Sequence, residues 1–392
     1  MSVYAGPDPI ENGLVFYLDA ANLKSYDSRE NLLKYSEQLE NTGGWNQQTS
    51  TVTSSSVTAP NGTLTADNIS SASDTGIYQQ GTVANNTTYT ASIYLNLTAS
   101  TATSIMFRDM GGGGHHIEIT KATAALSGAA NITSSGITPV GGGWYRVWIT
   151  YVTDATALEL TIRPNSQVGT TTVVAWGAQL EKGSSLTTYV PTTASGITRT
   201  TTWRDLISNS VTATLTNGPQ YFPSQQSYIA FTRSLAQSAT ISSTTGFVYG
   251  SSPRTISCWM YVNSISLSQY YWGWSYGTPG VGLAMFLGTI NGTFYFGGYA
   301  DDITASGVPL ATWFNMVGTY DGTTAILYVN GVELNRGTKT WNTTQSVGFI
   351  GNQVNAGEQI DGRVSNASLY NRVLSINEIK QNFNALRGRF GV

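Results

Sequence analysis

Two stretches of the chain space aromatic residues so that they share a face. In Trp144-Tyr-Arg-Val-Trp-Ile-Thr150, residues Trp144, Arg146 and Trp148 alternate with Tyr145, Val147 and Ile149. On a strand the two sets point to opposite sides. In Tyr270-Tyr-Trp-Gly-Trp-Ser-Tyr-Gly277 the same spacing groups Trp272, Trp274 and Tyr276. Pyranose rings present apolar faces that stack on exposed aromatic rings, while polar groups fix their hydroxyls. These six residues are the candidate glycan-binding set. Both faces of Trp144–Thr150 are bulky, so both cannot be core unless the strand lies between a sheet and a covering loop. Core packing and subunit contact are the competing readings, since Trp and Tyr are favoured in both.

Other chemistries find less support. Glycoside hydrolysis needs two carboxylates about 5–10 Å apart across a cleft. Acids two residues apart on a strand would share a face, and no such pair occurs. Glu358 and Asp361 fall on opposite faces, and Asp301-Asp302 read as a loop. No catalytic residue is assigned and no enzyme is expected. His115-His116 are adjacent and point to opposite sides of a strand, so they do not share a metal and read as a solvated strand edge. The single cysteine, Cys258, lies in the apolar run Arg254–Val262 and reads as a small buried hydrophobe.

The elements that position these residues follow from composition and pattern. The chain has 392 residues, and only 10% are charged against a typical quarter. Gly, Ser, Thr and Asn crowd every segment, with 10 Trp and 22 Tyr among them, which is the profile of many short strands joined by polar turns. Net charge is −3 with no basic stripe, which excludes a nucleic-acid binder. No apolar run is long enough to span a bilayer. The stretch Met1–Ile10 has no basic region followed by an apolar one, so no secretory signal is expected.

Strands are expected at Leu14–Leu18, Thr88–Leu97, Ser104–Arg108, His115–Thr120, Trp144–Val152, Ala157–Ile162 and Thr172–Gly177. Glycine-rich turns are expected at Gly111–Gly114 and Gly141–Gly143. Asp321-Gly322 and Asn330-Gly331 are hairpin signals that make Thr312–Leu334 a three-stranded meander. A further strand is expected within Gln359–Tyr370. One helix closes the chain. Ser375 and Glu378 form a capping box, Ile379, Phe383 and Leu386 share a face, and Gly388 is the expected stop.

Gly13–Tyr26, Thr201–Ser208, Thr214–Pro219, the Trp313–Leu334 meander, Gly362–Ser375 and Gln381–Gly388 occur in the order found in a laminin-G-like, concanavalin A-like jelly roll of bacteriophage virion proteins, and the chain resembles that family over 1–28 and 199–392. Its first part and Thr201 are separated by about 170 residues. Those residues resemble a carbohydrate-binding-module-like jelly roll of phage tail and fibre proteins, through Asn31–Glu37, Ala59–Thr63, Gly142–Arg146, Trp176–Gly183 and Tyr189–Thr192. The expected fold is all-β: two β-sandwich jelly rolls, one inserted into an early loop of the other (29–198 within 1–28 and 199–392), with a short C-terminal helix. Domain termini lie close together and loop tips accept insertions, so the arrangement is physically open.

The resemblance also implies a position near 148 that is usually small and polar, which makes Trp148 stand out. Both families often carry a calcium ion. In the host unit the matching acidic position would follow Gly362-Arg-Val364, where Ser365-Asn366 stand instead. In the inserted unit Asp67 and Glu181 are the candidate calcium ligands. No other cofactor is implied. The function implied is that of a non-enzymatic virion protein, a capsid decoration or tail or fibre component. It would assemble in the host cytoplasm with other virion proteins as a homo-oligomer and bind host surface polysaccharide weakly in many copies. The alternatives are a cementing protein with no ligand and, less favoured, a glycoside hydrolase of concanavalin A-like fold.

Overall fold

The structure, a computed structural model, describes residues 7–73, 75–109, 114–165, 169–208, 210–241, 243–266, 268–274, 280–352 and 358–392. It divides into two compact units. One combines the chain up to Ser28 with Thr200–Val392, and the other is Arg29–Arg199.

The first strand, Leu14–Asp19, explains why the host unit must be discontinuous. Phe16 and Leu18 turn into the core, and the strand pairs antiparallel with Gly362–Tyr370, near the end of the chain. The chain leaves and re-enters this unit at one place. The Tyr26 hydroxyl donates to the Thr200 carbonyl at 3.1 Å, and the Ser25 hydroxyl to the Arg204 carbonyl at 2.6 Å.

Among the described residues the host unit has two sheets. One runs in the order Gln220–Phe222, Tyr228–Phe231, Gly362–Tyr370, Arg254–Val262, Trp313–Tyr320, Thr324–Val329, Val332–Thr338, with Leu14–Asp19 also paired to Gly362–Tyr370. The other runs Thr202–Arg204, Thr212–Thr216, Ser238–Ile241, Gly348–Ile350, Ser268–Trp274, Met285–Ile290, Thr293–Gly297, Ile303–Ser306. Period-two alternation sends Ile256, Cys258 and Met260 inward together with Val364, Ala367 and Leu369. Both hairpin turns of the meander form. Asn330 and Gly331 adopt φ of 50° and 75°, the left-handed pair that a two-residue turn requires.

The C-terminal helix, Ile376–Phe390, begins at the expected capping box of Ser375 and Glu378. It does not stop at Gly388. Phe390 stacks on Trp259 at 4.1 Å, and Arg389 is drawn onto the sheet, so packing outweighs the roughly 1 kcal/mol that glycine costs a helix interior. Gly391, at φ 73°, ends it instead.

In the inserted unit, Asn31 and Ile197 bridge the two ends of the segment. Its sheets run Thr51–Val57, Ala66–Ser71, Thr171–Lys182, Thr88–Asn96, Trp144–Val152, Ser134–Gly141 and Ile77–Thr82, Ala157–Asn165, Ser104–Asp109, His115–Thr120, Ala125–Ala130. Ile93, Leu95, Phe107, Ile117, Val147, Ile149 and Ile162 fill the space between them. Thr171–Lys182 is twice the expected length. A bulge at Gly177, φ 65°, interrupts its alternation and hides the second half from pattern reading. Of the two glycine-rich turns, Gly141–Gly143 forms, while Gly111–Gly113 lie outside the described residues.

Arg389 holds the helix end to the sheet. It meets Asp19 at 2.8 and 3.1 Å, the Ser365 hydroxyl at 2.6 Å and the carbonyls of Gln226 and Ser227. Removing one partner of a buried ion pair strands the other, at a cost of roughly 3–5 kcal/mol. Arg389→Ala is therefore expected to lower the urea unfolding free energy of the host unit by about 3 kcal/mol. Arg389→Lys should recover only a small part, because an ammonium cannot span five acceptors.

Candidate functional site

The outer face of the first host sheet builds a site with a neutral floor beside the Asp19–Arg389 ion pair. Asp19, Asn366, Trp259 and Asn315 stand in one cross-strand row, and Tyr17, Ser368 and Ser257 in the next. Their inward neighbours Leu18, Ala367, Cys258 and Met316 are core, so alternation leaves this set facing out. The helix lies over part of that face, where Trp259 stacks with Phe390 and Phe383. Beside it a cavity of about 490 Å³ remains. Its floor is Ser257, Asn315, Asn366 and Ser368. Tyr17, Trp259 and Tyr370 are the aromatic walls, and Ile10, Leu14, Leu206, Ile207 and Leu386 are apolar. Asn382, from the helix, donates to the Tyr370 hydroxyl at 3.0 Å and accepts from the backbone of Ile10 at 2.7 Å, which fixes the edge formed by residues 9–11.

The hydrogen bonds of the floor are incomplete. Asn315 is half committed: its amide nitrogen donates to the Ser257 hydroxyl at 3.0 Å and to the Cys258 carbonyl at 3.3 Å, while its side-chain oxygen accepts none. Asn366 is 3% exposed, and its buried amide nitrogen has no partner at all. Burying such a group unmet costs about 1–3 kcal/mol.

Electrostatically the floor is silent. Burial pushes the Tyr17 hydroxyl well above its ordinary range, helped by the Asp19 charge, and pushes Tyr370 up to about 12. The charged lining residues, Glu11 and Lys24, are exposed at the mouth.

None of the five described aromatic-stretch candidates lies here. Trp272 and Trp274 are 0% exposed, with Trp272 stacked on Phe16 at 5.0 Å and Trp274 against Phe247 at 5.4 Å, so neither ring can receive a sugar. Tyr276 lies outside the described residues. Trp144 is buried and donates to the Thr58 carbonyl at 3.1 Å. Arg146 is buried as well, bonded to the Thr187 carbonyl and the Ser92 hydroxyl and lying 5.3 Å over the Tyr94 ring. The covering loop brings Thr187 and Tyr189 onto this face, so both faces of the strand are packed. Trp148 is half-buried, and its ring covers Gly136, its partner in register, so closely that a Cβ there would come within 2.6 Å of it. Its size serves a glycine on the next strand. His115 is also buried rather than solvated. It bonds the Asn131 carbonyl at 2.6 Å and stacks on Tyr151 at 4.7 Å.

The calcium candidates do not fit a cation. Asp67 pairs with Ala175, six residues from Glu181 on one strand, so the two carboxyls stand roughly 20 Å apart. Both Asp67 oxygens already accept backbone N–H groups, from Leu39 at 2.7 Å and Ser55 at 2.9 Å. Glu181 is buried, with one oxygen bonded to Gln179 and Thr187. Ser365, in the host unit, is saturated by Gln226, Ser227 and Arg389. Among the described residues no group of three metal-binding side chains converges.

Residues 235–380 match the family model of the concanavalin A-like lectin/glucanases superfamily, so the host unit carries a concanavalin A-like domain. No curated protein matches the chain. Similar solved structures include the binding domain of Paraclostridial Mosquitocidal Protein 1, at 16% identity and TM-score 0.38, covering 46% of this chain and 49% of that one. The botulinum neurotoxin serotype G binding domain matches at 10% identity and TM-score 0.39, covering 46% and 47%. A Trypanosoma rangeli sialidase mutant displaying trans-sialidase activity matches at 17% identity and TM-score 0.33, covering 49% and 32%. The chain spans about half the length of the binding domains and a third of the sialidase.

Burial, with Glu40 nearby, pushes the Asp67 carboxyl from 3.8 up to about 7. The folded chain therefore favours its protonated form. This group contributes stability that is fully present below pH 3.8 and is lost as pH rises through about 7. Thermal unfolding followed from pH 5 to pH 8 is expected to show a falling midpoint. Asp67→Asn should flatten that fall while lowering the midpoint throughout, because its amide can accept only one of the two backbone N–H groups.

Proposed function

We propose that the chain is a non-enzymatic glycan-binding protein, and that its primary site is the cavity between the helix and the outer sheet face. The observation that carries this reading is the floor itself: neutral serine hydroxyls and asparagine amides, walled by aromatic and aliphatic side chains, with no charged side chain among them. That is the chemistry that receives a polyhydroxylated ring, whose apolar face needs a hydrophobic wall and whose hydroxyls need neutral donors and acceptors. Hydrolysis would need two facing carboxylates, and Glu11 at the exposed mouth is the sole acid among the described lining residues.

The setting we propose is a virion surface, as a capsid decoration or tail or fibre component, supported by the resemblance of both units to jelly rolls of phage virion proteins. One shallow site binds sugar weakly. Many copies on one particle, or an oligomer of this chain, would raise avidity by roughly 10²–10⁴ where geometry allows simultaneous engagement. Host surface polysaccharide is the proposed partner, alongside other virion proteins.

The test is retention of the purified protein on immobilised surface polysaccharide from the host. Ser368→Leu places a branched side chain into the floor between Tyr17 and Ser257 and is expected to cut retention at least tenfold with folding intact by circular dichroism. Trp148→Ala should retain normally, since its ring is occupied by Gly136. Retention should also be flat from pH 5 to pH 9, because no floor group changes charge there. Failure of the unaltered protein to be retained, or normal retention of Ser368→Leu, would refute the reading.

A further inference from the structure

We infer that Arg363, held between two tyrosine rings on the outer face of the first host sheet, forms a second site that takes the carboxylate of an acidic saccharide. The site lies outside the cavity. The choice of a saccharide over an acidic peptide rests on the glycan-binding reading, while the preference for an anion rests on the geometry alone.

Arg363 precedes Val364, which is core, so alternation along Gly362–Tyr370 turns it outward. Its cross-strand neighbours are Ala230 on one side and Tyr261 on the other, and Tyr261 pairs in turn with Trp313. The guanidinium carbon lies 4.1 Å from the centre of the Tyr261 ring and 4.8 Å from that of Tyr228. Both rings pack on Trp313, at 5.7 and 5.6 Å. Trp313 is buried and lies 4.9 Å from Phe390, at the end of the helix. Helix end, tryptophan and tyrosines thus fix the guanidinium in turn.

The clamp leaves the cation available. Among the described residues Arg363 makes no ion pair and no side-chain hydrogen bond; its contacts are the two rings. Asp361, the nearest acid in sequence, accepts from the Asn263 amide at 3.1 Å instead. Arg199, Arg336, Arg372 and Arg389 each meet a carboxylate within the fold. Arg363 differs from them, and it is within reach of a ligand: Arg363, Tyr228 and Tyr261 are all half-buried, and Ala230 is too small to cover the guanidinium from its side.

A guanidinium fork matches a carboxylate with two parallel hydrogen bonds, and flanking rings that displace water strengthen the attraction. In a uronic or sialic acid the carboxyl carbon is bonded to the sugar ring itself. A carboxylate on Arg363 therefore brings the apolar face of that ring to Tyr228 or Tyr261, where it can stack. An acidic peptide carries its carboxylate on a flexible stem and brings no ring face with it.

The experiment is a calorimetric and NMR titration of the full chain with two matched pairs, the galacturonic acid trimer against its methyl ester and sialyllactose against lactose, and with an aspartate tripeptide as the peptide probe. At least one acidic saccharide is expected to bind about tenfold more tightly than its neutral counterpart, and that preference should shrink at least threefold between roughly 20 and roughly 500 mM NaCl. Arg363→Gln should abolish the preference while leaving binding of the neutral sugar within about threefold. Arg363→Lys, which keeps the charge and loses the fork, should retain the salt dependence with weaker binding. Both variants should unfold thermally within a few degrees of wild type. Ser368→Leu, which alters the cavity, should keep the preference. A preference for acid that survives Arg363→Gln would overturn the site, and its loss in Ser368→Leu instead would assign the carboxylate to the cavity mouth, where Lys24 stands. Equal binding of acidic and neutral sugars would overturn this inference and leave glycan binding standing. Binding of no saccharide by the folded protein would overturn both. An aspartate tripeptide bound as tightly as the best saccharide would overturn the ligand class in favour of an acidic protein.

Discussion

The pairing of Leu14–Asp19 with Asn366–Tyr370 is the contact on which the host unit depends. It joins the two ends of the chain, so everything between must return to its starting point. An unstructured intervening segment would cost closure entropy that grows with the logarithm of its length. A folded segment with tethered ends costs less. Within the inserted unit that tether is visible: Asn31 and Ile197 exchange backbone hydrogen bonds, and the Arg199 guanidinium lies 3.4 Å from Glu30. The same strand pairing lays out the floor of the cavity. Without Leu14–Asp19 at this edge, Tyr17 has no place beside Ser368, and the cavity loses a wall.

The helix is the second requirement, and its local and distant signals agree. The capping box starts it, and Glu378 also pairs with Arg372 at 2.6 Å, which draws that carboxyl down to about 2. The far end is drawn past Gly388 by tertiary contacts, Phe390 on Trp259 and Arg389 on Asp19, and closed locally by Gly391. Stacking against Phe383 and Phe390 holds Trp259 as a wall. Thus one aromatic residue, in the middle of the strand Arg254–Val262, couples helix placement to cavity shape.

Much of the fold was legible because strands in a sandwich write their burial into a period of two. His115–Thr120 and Trp144–Val152 appear at the expected residues. Glycine at a bulge defeated the pattern at Gly177, and glycine inside a helix defeated it at Gly388, in both cases because a long-range contact decided the geometry. The site was another matter. Aromatic alternation marked Trp272 and Trp274, but a core and a binding platform share that pattern, and only the opposite sheet distinguishes them. The floor of the cavity carried a fainter signal: Ser257, Asn315, Asn366 and Ser368 are small or neutral polar residues that alternate with the core residues Cys258, Met316 and Ala367. Recognising them as one surface requires the register between three strands far apart in sequence, which no local pattern contains.

A floor without charge also limits what the site can do, and that limit fits the proposed role. Charged sites draw ligands from a distance and lose strength with salt. Neutral amides and hydroxyls act only at contact, so they discriminate by shape and by hydrogen-bond direction. The outcome is selectivity at modest affinity per site. For attachment to a surface displaying many identical sugars, that combination lets single contacts break and re-form while the ensemble holds.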